Sequence, residues 1–352
     1  MAPTALVDSY PPVSHDFNAG DLTPIQSKKL PSAAPLSPNA GAEMDAVSDA
    51  VDTINAYLGE HPDAPRPKNV EEAEDDSWKT SGSKFDAEKD KDQFRNYEDA
   101  MDSVKNFYAE QHARQTVEYN IAMREKYLGK DREVNARMTI WEAIDKLDEL
   151  VDESDPDTSL TQSQHLLQTA EAMRRDGKPD WMQLTGLLHD LGKLLVFFGA
   201  KGQWDVVGDT FVVGAAFAPE NVYPSTFEQN PDSVDPQYNT ELGMYERGCG
   251  LEKVMLSWGH DEYMYHILKS QSTIPKAGLD MVRYHSFYPW HRGGAYRQFH
   301  KADGSDEDAL QATLAFNAYD LYSKSDEPPQ MEELRDYYSA LIDKYVPGVI
   351  EW

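Results

Sequence analysis

Seven of the ten histidines fall between His165 and His300. Histidine is the commonest side-chain ligand for transition metals, so this crowding points first to metal chemistry. The sharpest local motif is Gly186-Leu-Leu-His189-Asp190-Leu-Gly-Lys193. Adjacent His189 and Asp190 diverge by roughly 100° on a helix. Both can still serve a metal pair lying against that helix, with the Asp190 carboxylate bridging. Lys193, four residues after His189, shares its face and is placed to clamp a substrate oxygen. A His-Asp dipeptide alone says little, since it occurs at His15-Asp16, His189-Asp190 and His260-Asp261. The second pair stands out because leucines surround it, and a buried carboxylate is costly unless it meets a cation.

Further candidates sit on separate segments. They are His165, His260, His285 and Asp320, an arrangement that suits facing helices each donating an inward side chain. Imidazole-rich ligand sets favour iron, zinc or manganese over magnesium or calcium. Such a site can activate water for hydrolysis or, with iron, bind O2, and ligand identity does not choose between them. Asp320 alone reads equally as a solvated helix residue paired with Lys324. His266 lies six positions after His260 and points elsewhere. His291 follows Pro289-Trp290 and reads as a turn or aromatic-packing residue.

The elements that must carry these groups are mostly helices. The periodicity predicts helices over Asp99–Leu128, Thr139–Val151, Thr161–Arg175, Asp180 to Gly199, Leu251–Lys269, Lys276–Ser286, Asp306–Lys324 and Met331–Lys344. In the second, Ile140, Trp141, Ile144, Leu147, Leu150 and Val151 form one stripe, and Thr139 with Glu142 forms a capping box. Asp180 reads as the cap of its helix. Trp204–Phe217, rich in β-branched residues and glycine, reads as a short hairpin or irregular loop. The body is expected to be one all-α domain over residues 91–352.

The first 90 residues differ. They hold ten of the 21 prolines, with 17 acidic against 7 basic residues. Such a segment buries too little apolar surface to offset its ordering entropy, so it reads as a mostly disordered acidic extension. Within it, Met44, Val47, Val51, Ile54 and Leu58 fall at helical spacing. The whole chain carries Lys+Arg 33 against Asp+Glu 62, a net charge of −29. That balance disfavours nucleic acid and anionic membrane surfaces as partners. One cysteine, Cys249, excludes an intrachain disulfide. No run reaches the length of a membrane span, and the first residues lack the pattern of a signal peptide. A cytoplasmic monomer is expected.

Taken in order, several segments resemble the myo-inositol oxygenase family of the HD-domain superfamily. They are Phe94-Arg-Asn-Tyr, Leu150-Val-Asp-Glu-Ser-Asp-Pro-Asp, Gln168-Thr-Ala-Glu, Leu187-Leu-His-Asp-Leu-Gly-Lys, Val206-Val-Gly-Asp-Thr-Phe, Ser257-Trp-Gly-His-Asp-Glu-Tyr and His285-Ser-Phe-Tyr-Pro-Trp-His. The likeness runs from about Phe94 to Trp352. It implies an HD-domain-like helical bundle with two iron ions, mixed-valent Fe(II)/Fe(III). It also implies cleavage of myo-inositol between C1 and C6 by O2 to yield D-glucuronate. The implied iron ligands are His165, His189, Asp190, His260, His285 and Asp320, with Asp190 bridging. Implied substrate contacts are Arg95, Asp152, Glu153, Ser154, Lys193, Gly208, Asp209, His285 and Ser286, with Lys193 and Asp190 catalytic. The extension matches nothing in that family.

Two other readings compete. An HD-type phosphohydrolase would use a similar His/Asp core on a phosphate ester, but the motifs are poor in basic residues that hold phosphate. An interaction protein with an inert helical domain would leave the six ligand positions without purpose.

Overall fold

The computed structural model describes residues 76–79, 95, 97, 101–152, 154, 161–323 and 329–352. The expected extension, its short helix and Glu153 lie outside the described residues, apart from a 3-10 turn at Asp76–Lys79. The described residues fall within one compact unit, Ile54–Trp352. The architecture is all-α, with one two-stranded sheet among the described residues.

Instead of one helix over Asp99–Leu128 there are two, α1 (Asp102–Arg114) and α2 (Val117–Leu128). The break has a local cause and a distant use. Thr116 caps α2, its side chain accepting from the Tyr119 amide. This turns Gln115 inward, where its amide donates to the Trp258 carbonyl (2.8 Å) and accepts from the Trp258 amide (3.0 Å). Trp258 stands two residues before His260, so the break anchors a segment that carries a candidate ligand.

Strand β1 (Arg137–Met138) leads into α3 (Ile140–Leu147). The Thr139/Glu142 capping box is present. Ile140, Ile144, Leu147 and Leu150 are buried, but α3 stops at Leu147, so Val151 is exposed. Helix α4 (Gln162–Arg175) has its own capping box, Thr161 with Gln164. Helix α5 (Asp180–Leu188) is capped from Pro179, and Asp180 is its first residue rather than its cap. It does not run on to Gly199. The chain tightens through His189-Asp190 into a 3-10 helix, Leu191–Phe198, closed by Gly199 in the left-handed region.

Trp204–Phe217 is not a hairpin. It is a 3-10 turn and irregular chain, with one isolated bridge from Val212 to Leu256. The residues expected to start a helix at Leu251 form only a 3-10 turn, and α6 (His260–Gln271) begins at the histidine itself. Then come α7 (Lys276–Tyr284), α8 (Tyr288–His291), α9 (Ser305–Tyr322) and α10 (Met331–Tyr345). Strand β2 (Ile350–Glu351) returns antiparallel to β1, Arg137 opposite Glu351 and Met138 opposite Ile350.

The core binds these elements together around the leucine face of α5. Leu184, Leu187, Leu188, Leu191 and Leu194 are fully buried. Each such leucine contributes about 1.5–3 kcal/mol by burial. No helix among the described residues is long and apolar enough to cross a membrane.

Candidate metal centre

Six side chains from five places in the chain converge. His165 comes from α4, His189 from the C-terminal cap of α5, and Asp190 from the turn that follows. His260 opens α6, His285 caps α7 and Asp320 lies on α9. All six are buried.

Three of the imidazoles are aimed by backbone carbonyls. His189 Nδ1 lies 2.8 Å from Gly186 O, His260 Nδ1 2.8 Å from Val206 O, and His285 Nδ1 2.9 Å from Val282 O. A carbonyl only accepts, so each Nδ1 carries the hydrogen and donates, and Nε2 is turned into the cluster. There the donors fall into two halves. Asp320 Oδ1 lies 3.0 Å from His165 Nε2 and 3.3 Å from His189 Nε2. Asp190 Oδ2 lies 3.7 and 3.4 Å from the same two nitrogens. Asp190 Oδ1 faces the other way, 3.3 Å from His260 Nε2 and 3.4 Å from His285 Nε2. Those two nitrogens are 3.3 Å apart.

This arrangement fits metal. The buried His189 Nε2 has no hydrogen-bond partner of acceptable geometry among the described residues. With Nδ1 of both rings donating to a carbonyl, neutral His260 and His285 meet Nε2 to Nε2 with two acceptors facing and no donor between them. An ion between the inward nitrogens and carboxylates satisfies both halves, and an imidazole–carboxylate set suits iron, zinc or manganese.

The remaining expected residues form a rim in two parts. Lys193 Nζ sits 2.8 Å from Asp190 Oδ2, 2.8 Å from Asp152 Oδ2 and 3.3 Å from Gln162 Oε1. Asp152 Oδ1 in turn accepts from Ser154 N (2.8 Å) and Oγ (2.6 Å). On the other part, Arg95 donates two hydrogen bonds to Asp209, at 3.0 and 2.5 Å. The Arg95 guanidinium stacks over the Tyr288 ring at 3.3 Å. Arg95 and Asp209 line a cavity of about 540 Å³ with Tyr97, Tyr223, Tyr288 and Arg292. Gly208 has φ +97°, and a Cβ there would meet Gln111 Nε2 and Phe107 at 2.8 Å. Only glycine lets the chain pass close under α1 before Asp209. Ser286 Oγ donates to Asp261 Oδ1 at 3.3 Å.

The profile of the family described as Myo-inositol oxygenase matches residues 101–352. The chain is 48% identical over 266 residues to a probable inositol oxygenase of Oryza sativa subsp. japonica, covering 74% of this chain and 85% of the relative. It is 47% identical over 270 residues to the inositol oxygenase of Danio rerio, covering 75% and 95%. It is 47% identical over 269 residues to that of Rattus norvegicus, covering 75% and 92%. This chain belongs to the myo-inositol oxygenase family. The family implies a metal cofactor, and the convergent histidines and aspartates are the groups that could hold it.

The electrostatics of this family member's centre follow from burial and contact. Burial would raise the Asp190 carboxyl, but His189, Lys193, His260 and His285 hold it well below the usual carboxylate range. Asp320 is held well below it too, burial being overridden by His165 and His189. Burial opposes charge on Lys193, yet Asp152 and Asp190 raise it above an ordinary lysine. Burial likewise opposes charge on His260, but Asp261 and Asp190 raise it to about 10.

Outside the centre, His266 contacts Glu262 at 3.2 Å. His291 Nε2 donates to the His285 carbonyl at 2.9 Å, so it braces a candidate ligand rather than only packing on aromatics. Three residues near the centre had no role in the sequence reading. Gln162 and Gln115 carry no local signal. Asp261 did, in the His260-Asp261 dipeptide, but that signal equals the one at His15-Asp16.

Proposed function

We propose that this chain catalyses the inositol oxygenase reaction, opening myo-inositol between C1 and C6 with O2 to give D-glucuronate and water. In this reading two iron ions are held by His165, His189, Asp190, His260, His285 and Asp320. The observation that carries it is the division of Asp190, with Oδ2 toward His165 and His189 and Oδ1 toward His260 and His285. Two nitrogen-rich halves sharing one carboxylate suit two ions rather than one. When bound, the mixed-valent iron pair supplies the site for O2 and a Lewis acid for a polyol hydroxyl.

The chain's own groups position the substrate. A hydroxyl entering beside Lys193 exchanges one carboxylate contact of Nζ for its own. Negative charge growing on that oxygen then meets a fixed ammonium in a buried setting. Asp152 and Ser154 offer an acceptor and a donor for neighbouring hydroxyls, as a polyol requires. Arg95 and Asp209 do the same at the rim, with Glu153, Gly208 and Ser286 completing the contacts. The aromatic wall of Tyr97, Tyr223 and Tyr288 restricts water. A phosphate ester would bring its own negative charge to cations that carboxylates already neutralise, Lys193 beside Asp152 and Asp190 and Arg95 beside Asp209.

Residues 91–352 are proposed to carry the chemistry as a cytoplasmic monomer, with the first 90 dispensable for turnover. The family profile, which matches residues 101–352, supports placing the chemistry there. The test is oxygen uptake by the iron-loaded full chain with myo-inositol, with glucuronate assayed at the end. One glucuronate per O2 is expected. No uptake, with both irons bound and mixed-valent, would overturn the reading and direct attention to phosphate release.

A further inference from the structure

We propose that Tyr223 is a positioning residue for Arg95, tethering the turn from Arg95 to Tyr97 at the rim of the cavity, a role that rests on the functional reading above, in which Arg95 contacts the substrate. The Tyr223 hydroxyl donates to the Tyr97 carbonyl at 2.6 Å. The Tyr97 amide donates to the Arg95 carbonyl at 3.0 Å, so the two residues belong to one tight turn, with Arg95 in the left-handed region at φ 57°. Side chains hold the same turn. Arg95 bonds Asp209 and stacks over Tyr288, and the Tyr97 and Tyr108 hydroxyls are 3.2 Å apart. In the functional reading, however, Arg95 and Asp209 both meet substrate hydroxyls. A hydroxyl entering there competes with the Arg95–Asp209 pair. The bond from Tyr223 reaches the main chain two residues on and does not depend on that pair.

Tyr223 is itself fixed from beneath. Its backbone takes φ 43°, a conformation that costs a tyrosine free energy and persists only where the surroundings hold it. Thr226 supplies that hold: its amide and its hydroxyl both donate to the Tyr223 carbonyl, at 3.0 and 2.8 Å. His112 Nδ1 lies 2.6 Å from Thr226 Oγ1. The hydrogen of that hydroxyl goes to the Tyr223 carbonyl, so the imidazole is the donor. His112 is buried on α1 and stacks on Phe227 at 3.8 Å. The half-buried Tyr223 thus stands on a firm base and presents its hydroxyl to the turn. Ring packing is the competing account, because Tyr223 also meets the Tyr97 and Tyr108 rings edge-on at 5.8 Å. Tyr223→Phe keeps that packing and removes only the hydroxyl.

The iron-loaded full chain and its Tyr223→Phe variant are compared by hydrogen–deuterium exchange and by oxygen uptake with myo-inositol. The peptide containing Arg95 and Tyr97 should exchange at least about threefold faster in the variant, with exchange in α3 unchanged. KM for myo-inositol should rise about threefold to tenfold, the scale of one net hydrogen bond. The kcat should stay within about twofold, because the tether serves substrate binding rather than the chemical step. Unchanged exchange at the turn, or an equal rise in α3, would overturn the proposal. An unchanged KM, or a fall in kcat larger than the rise in KM, would overturn it too. A wild type that takes up no oxygen with myo-inositol would overturn the functional reading and with it the substrate role of Arg95, while the exchange measurement decides the tether.

Discussion

Lys193 shows how a single residue changes meaning between sequence and structure. Spacing places it on the face of His189, and the fold sets its ammonium between Asp152 and Asp190, 2.8 Å from each. It touches the metal centre through a carboxylate rather than as a ligand. Lys193→Met should therefore keep its metal content but reduce turnover by at least about a hundredfold, the scale of removing one charge-stabilising group. Metal analysis beside oxygen uptake checks this, and loss of metal would show a structural role instead. A second expectation concerns protons. In the metal-free chain His260 is raised to about 10, so it is charged at neutral pH. A bound ion must replace that proton, so apparent metal affinity should rise with pH through the neutral range. Calorimetry in two buffers of different ionisation enthalpy should find at least about one proton released per chain. Identical heats in both buffers would contradict it.

At the scale of elements, the centre depends on how closely α6 approaches its neighbours. Gly192 is the second residue of the 3-10 helix after Asp190, and a Cβ there would stand 2.1 Å from the His260 carbonyl. Gly192→Ala must push apart the segments carrying Asp190 and His260. Overpacking of this kind costs about 1–3 kcal/mol, and metal affinity should fall with it. A Tm within error of wild type and unchanged affinity would refute this account. A buried ion pair ties α6 to α7: Arg283 donates to Glu262 at 2.8 and 3.1 Å, two residues before His285 and two after His260. Arg124 reaches the same carboxylate at 3.6 Å. Arg283 and Glu262 thus brace the two helices whose histidines share a half-site. Glu262→Gln leaves both guanidiniums buried without their counter-charge and should cost about 3–5 kcal/mol. Urea unfolding measures it, and a loss under 1 kcal/mol would mean water or relaxation satisfies them.

For the molecule as a whole, the C-terminal strand returns to the segment between α2 and α3. Trp352 is fully buried, its amide donates to Ala136 O at 2.9 Å, and its carbonyl accepts from Asn135 at 2.7 Å. This closure ties the last residues of the family match to the segment between α2 and α3, so Trp352 is part of the core. Trp352→Ala should cost about 3–5 kcal/mol, as loss of a buried large aromatic does. Differential scanning calorimetry should show a Tm drop of several degrees while metal content at low temperature is kept.

Much of this organisation was readable in the chain itself. Helix periodicity, the Thr139/Glu142 capping box and the stop at Gly199 are short-range signals, because caps and apolar stripes act within one or two turns. The types of the candidate ligands were legible for the same reason: imidazole and carboxylate chemistry belongs to the residue, whatever surrounds it. The resemblance ordered those residues into a family pattern, and family membership now rests on the matched profile and relatives. Other features depended on distant partners. The break at Gln115 serves Trp258, β1 pairs with β2 across more than two hundred residues, and the irregular chain at Trp204–Phe217 is held by side chains from elsewhere. Which oxygen of Asp190 faces which pair of histidines, and that Asp261 stands beside His260 Nε2, follow from the packing of α4, α5, α6, α7 and α9. A chain specifies donor chemistry locally, but distances between donors on separate helices exist only once the core has closed around them.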